Sequence, residues 1–174
     1  MKSGTNVKKL VITALFIALS FVGANIKVFG TIAFDSLPGF LAALILGPAY
    51  GAAIGFLGHI CTALTSGFPL SIPLHIVIAL AMAVTMLGFG HTYKALQSRA
   101  PVAVQFVLAG AVGIALNGPF SLAASMAALS LMAGKEAAMG LLALFPALVL
   151  ASGANTIIAL ILFKPLDAVW NKIK

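Results

Sequence analysis

Runs of about twenty predominantly apolar residues, almost free of charge and without strand-like alternation, constrain this chain more than any other feature. The stretch from Leu10 to about Val28 is one such run and Ile72 to Tyr93 is another. An aqueous domain of 174 residues could not cover this much apolar surface, because charged residues make up 7% of it against about 25% in soluble domains. A bilayer removes the difficulty, provided that every backbone polar group is satisfied inside the protein. Unbroken apolar runs then select helices over a barrel. The expected fold class is an all-α integral membrane protein.

Six spans are expected, at about 9–29, 32–47, 49–66, 72–93, 102–131 and 137–163, forming one membrane domain over 1–174. The apolar stretch 32–66 exceeds one helix, and Gly47-Pro48 near its middle breaks it, since proline lacks a donor and restricts the residue before it. Charge tests the count. With six spans Lys2, Lys8, Lys9, Lys94, Arg99, Lys164, Lys172 and Lys174 share one side, and only Lys27 and Lys135 fall on the other. This is a positive-inside distribution with both termini cytoplasmic. Treating 32–66 as one span would scatter these charges. The lysines before the first run resemble a signal peptide's, but the run is long enough to span and is read as a retained helix.

Net charge of +7 does not indicate nucleic acid, because the basic residues mark the ends of apolar runs and form no patch. Cys61 is single, excludes an intramolecular disulfide and reads as a packing residue. No phosphate-binding G-x-x-x-x-G-K-[ST], dinucleotide-binding glycine pattern, H-E-x-x-H or nucleophile elbow occurs. No catalytic residue, metal ligand or cofactor is expected, so any ATP-driven step must come from another chain. Asp35 and Glu136 fall in outer loops and Asp167 in the cytoplasmic tail. No carboxylate is left inside the membrane for a proton or sodium relay.

The polar residues within the spans are the candidates for function, because lipid exposure is costly and they turn toward a bundle interior or a wet cavity. Asn117 and Ser121 lie one turn apart on one helix face, at the same outer depth as His75. These three, with the deeper His59, are candidate solute contacts. Interhelical hydrogen bonding is the competing reading for them and the stronger one for Thr62, Thr65, Ser125 and Asn155. Ala14 and Ala18 stand four apart, as do Gly47, Gly51 and Gly55, a spacing that lets helices approach closely.

The segment Ile32-Ala33-Phe34-Asp35-Ser36-Leu37-Pro38-Gly39-Phe40, and the Leu-Gly-Pro-x-x-Gly-x-x-x-Gly run from Leu46 to Gly55, resemble the S components of energy-coupling factor (ECF) vitamin transporters. With the six-span layout and Ala14-x-x-x-Ala18, the resemblance covers essentially the whole chain. It implies a substrate-binding subunit of a prokaryotic plasma membrane, with an outward pocket for a vitamin or precursor. The loops after the first, third and fifth helices would help to close it. It further implies a transmembrane coupling subunit facing Ala14 and Ala18, and two ABC ATPases.

Phe34-Asp35-Ser36-Leu37 and Thr65-Ser66-Gly67-Phe68-Pro69-Leu70 with Pro73-Leu74-His75 are most similar to members assigned to α-ribazole. Phe34, Phe68 and Phe120 would then offer walls for its benzimidazole, and Asp35, His75 and Asn117 hydrogen bonds for its ribose. Pantothenate is the main rival, its carboxylate needing Lys27, Lys135 or a protonated histidine. An independent channel or facilitator for small solutes is the other alternative.

Overall fold

A computed structural model describes residues 2–28 and 32–173. Lys174 lies outside the described residues, and so do the side chains of Lys2 and Lys27. Helix α1 (Lys2–Asn25) is followed by a two-residue antiparallel ribbon, β1 (Lys27–Val28) with β2 (Ile32–Ala33). Then come α2 (Leu37–Ile45), α3 (Pro48–Thr65), α4 (Ile72–Leu96) and α5 (Val102–Ala115). A π turn, Leu116–Phe120, joins α5 to α6 (Ser121–Ala133). After α7 (Lys135–Gly140) and a 3-10 turn, Leu141–Leu144, α8 (Phe145–Ile173) closes the bundle.

The protein is an all-α membrane bundle. Among the described residues, four helical stretches are long and apolar enough to cross a membrane by themselves: Val7–Asn25, Ile72–Leu96, Val102–Ala133 and Lys135–Ile173. Of the two remaining passes, α2 is packed inside the bundle, whereas α3 keeps an exposed face that includes Leu57 and Leu64. Pro38 through Leu44 of α2 are all buried, so nine residues of helix suffice where no lipid is met. Some helix boundaries differ from those read in the sequence. The second helix begins at Leu37 because residues 32–33 pair with 27–28 as ribbon. Helix α8 runs on through Pro165 to Ile173, since one proline removes one donor and only distorts a helix held at both ends. Asn117-Gly118-Pro119 does not break the fifth pass; the wider π turn absorbs the proline.

Gly47 and Gly51 explain the tight turn and the packing of the short pair. Gly47 caps α3 with φ 115°, a conformation that disfavours a Cβ, and Pro48 follows at the first helical position. A Cβ on Gly51 would lie 2.6 Å from the Ala43 Cβ and 2.9 Å from its backbone nitrogen, so α2 and α3 touch backbone to backbone. Around them Phe40 meets Phe89 edge-on at 4.9 Å and Tyr93 meets Phe163 at 5.4 Å.

Both ends of the chain lie at one end of the bundle, where Lys8 Nζ donates to the Ile173 carbonyl at 2.6 Å. Lys9 Nζ sits 5.4 Å from the Tyr50 ring centre there. The Lys94 ammonium packs beside Gly47 at the same end. The positive-inside rule makes this end cytoplasmic. Lys135 and Glu136 begin α7, at the opposite end.

Candidate functional site

Toward the end away from the termini, the helices enclose a polar cavity of about 180 Å³. The β2–α2 segment contributes Asp35 and Ser36, α3 contributes His59, and the π turn and α6 contribute Asn117 and Ser121. Ser152 and Asn155 reach it from α8. A second cavity of about 230 Å³ is mostly apolar, walled by Pro69, Leu70, Leu74, His75, Leu141 and Leu144. The two share Ile78, Ser121 and Leu148. Neither alone reaches the roughly 300 Å³ at which small-molecule pockets begin, but together they exceed it.

Asn155 positions the polar wall. Its Oδ1 accepts from the Leu37 N–H at 2.9 Å, and its Nδ2 donates to the Ala33 carbonyl at 2.7 Å and the Ala151 carbonyl at 2.8 Å. The side chain of Ser36 makes no cap for α2, so Asn155 satisfies the helix's first orphan donor from α8. Asn117 Nδ2 donates to Ser36 Oγ at 3.3 Å and ties the π turn to the same segment. Asp35 is half-buried with its carboxyl group crowded by protein. Burial raises its pKa above the ordinary 3.8, opposed by hydrogen bonds from the backbone of Ser36 and of Asp35 itself.

His59 and His75 form a directed chain. The Pro69 carbonyl can only accept, so His75 Nε2, 3.0 Å away, carries the hydrogen. With both rings neutral, His75 Nδ1 then accepts from His59 Nε2 at 3.1 Å, leaving His59 Nδ1 bare. That atom is buried without a partner. The α3–α4 loop held by this chain is strained: Phe68 has φ 50° and Leu70 φ 73°, left-handed values that cost about 1–3 kcal/mol each. The edge contact of Phe68 with His75, centroids 5.7 Å apart, helps to hold it.

Among the candidates read from the sequence, Asp35, His59, Asn117 and Ser121 therefore line the polar cavity and His75 lines its apolar neighbour; Phe68 packs edge-on against His75 but lines neither. Phe34 faces an apolar groove between α1 and α8 instead, and Phe120 is 41% exposed, lining neither cavity. Ala14 and Ala18 are exposed along α1. Ser36, Ser152 and the cavity-facing side of Asn155 escaped sequence reasoning. The spacing of Ser152 and Asn155, three apart on one helix face, was the available signal. No group of three or more metal-ligating side chains occurs among the described residues.

The family described as ECF transporter, substrate-specific component matches residues 8–166. No curated protein and no solved structure matches.

Proposed function

Because the chain belongs to the substrate-specific components of ECF transporters, a transport subunit rather than an enzyme, we propose that it captures an uncharged nucleoside-like vitamin precursor, α-ribazole above others. The carrying observation is the charge of the paired cavities. Asp35 is their one carboxyl group, and no lysine or arginine is among the described residues that line them. A carboxylate solute would bring a second negative charge into a confined space without a partner, which costs about 3 kcal/mol or more.

The division between the cavities supports the same cargo. Leu74, Ile78, Leu141, Leu144 and Leu148 offer apolar walls for a flat heterocycle. Asp35, Ser36, Asn117 and Ser152 offer hydrogen-bond partners for a ribose. The test is calorimetric titration of the purified protein with α-ribazole and with pantothenate. The nucleoside is expected to bind at least about 100-fold more tightly. Tighter binding of pantothenate would reject the charge argument while leaving the family intact.

The ECF module partners complete the importer, and Ala14 with Ala18 is the proposed contact for the coupling subunit. Both are small, exposed and on one face of α1. Ala14→Trp is expected to leave solute affinity unchanged and to lower energised uptake about tenfold or more, from an overpacking cost of about 1–3 kcal/mol. Lost binding with intact uptake would misplace the contact.

A further inference from the structure

Three residues line both cavities: Ile78 from α4, Ser121 at the start of α6 and Leu148 from α8. On one side of them stand Asp35, Ser36 and Asn117, and on the other Leu74, Leu141 and Leu144. Polarity therefore changes across the width of one layer of side chains. A solute that uses both cavities must cross this layer.

Ser121 is its polar member, and the fold leaves its hydroxyl unused. The residue is 8% exposed. A helical serine or threonine in apolar surroundings can donate to the carbonyl four residues back. Thr62, Thr85, Thr92 and Ser125 all do so, at 2.7–3.0 Å. The π turn interrupts that pattern at Ser121, whose N–H goes to the Leu116 and Gly118 carbonyls on either side of the usual position. Its own carbonyl accepts from Ser125, but its hydroxyl has no protein partner among the described residues. That hydroxyl can donate one hydrogen bond and accept others.

We propose that Ile78, Ser121 and Leu148 form a selectivity waist, which the solute crosses by the single bond joining a flat ring to a sugar, with Ser121 Oγ bound to a polar atom beside that bond. This rests on the reading that the paired cavities hold the solute. Ile78 and Leu148 offer the join only apolar contact, so a wide or charged join is rejected there. A join without any polar atom leaves the buried hydroxyl unpaired. A ribosyl heterocycle meets both conditions, because the sugar's ring oxygen and one hydroxyl lie next to its glycosidic bond.

Calorimetric titration of the purified protein with α-ribazole, and with its dimethylbenzimidazole base alone, separates the waist from the apolar cavity beyond it. Ser121→Ala is expected to weaken the nucleoside about 3- to 10-fold, the loss of one hydrogen bond, with a smaller effect on the base. Ser121→Val also adds bulk at the waist and is expected to weaken the nucleoside about 100-fold, at least about tenfold more than the base. Base binding then reports that the variant is folded. Equal losses for nucleoside and base, or unchanged nucleoside affinity in both variants, overturn the waist and leave the cargo standing. Preference for pantothenate, with Ser121→Val weakening it as strongly, overturns the cargo and keeps the waist. Preference for pantothenate with Ser121→Val silent, or binding of none of the three compounds, overturns both.

Discussion

Asp35→Asn is expected to stabilise the solute-free protein near neutral pH and to weaken α-ribazole binding about 10- to 100-fold, the span for losing a hydrogen bond to a charged group. Both effects have one origin. Crowding by protein raises the Asp35 pKa from 3.8, so the folded state holds its proton to higher pH than the unfolded state does. The native state therefore binds more protons between 3.8 and the raised value, and stability falls as pH rises through that window. Above it the folded protein carries a carboxylate that the fold disfavours. Asparagine keeps the shape without the charge, so its melting temperature should lack this downward slope. Parallel melting curves for wild type and variant from pH 4 upward would show that Asp35 carries no such penalty. Unchanged affinity would remove it from the solute's contacts.

A loss of stability is expected from Asn155→Leu. The amide serves the Leu37 N–H, which opens α2, and the Ala33 carbonyl on the ribbon. Leucine fills a similar volume and leaves both groups without partners. At about 1–3 kcal/mol for each buried group left unpaired, the cost is about 2–6 kcal/mol. Solute affinity should fall with it, because the same segment carries Asp35 and Ser36 into the cavity. Thermal melting in detergent and amide exchange at Leu37 read the two parts of the prediction. Wild-type melting with slow exchange at Leu37 would mean that another group caps α2.

These two residues also mark how far the sequence could be read. Asp35 is legible only through the family resemblance, which the Phe34–Asp35–Ser36 segment carries. Asn155 was visible as a polar residue at depth, and interhelical bonding was the better reading for it. Its bonds reach across 118 and 122 residues of chain, and no local spacing announces them. His59 and His75 were separate candidates in the sequence, sixteen positions apart. Only the packing of α3 on α4 brings their nitrogens to 3.1 Å and makes the Pro69 carbonyl decide which nitrogen bears the proton. Phe34 and Phe120 illustrate the opposite case: aromatic character marked them, but side-chain direction, which depends on the ribbon and the π turn, turned them away from both cavities.

The sequence by itself determined solvent, secondary-structure class and sidedness. These follow from sums over many residues, since burying apolar surface and keeping basic groups out of lipid are additive and tolerate errors at any one position. It determined the family too, through local runs whose glycines permit close backbone contact. Tertiary structure alone decided which polar groups meet, why α2 can be nine residues long, and that Ser121 lies where the two cavities meet. Those outcomes depend on distances between helices remote in the chain, where an ångström separates a hydrogen bond from an unpaired group. Hydropathy sets the environment; the directional chemistry of the site arises only once the helices are packed.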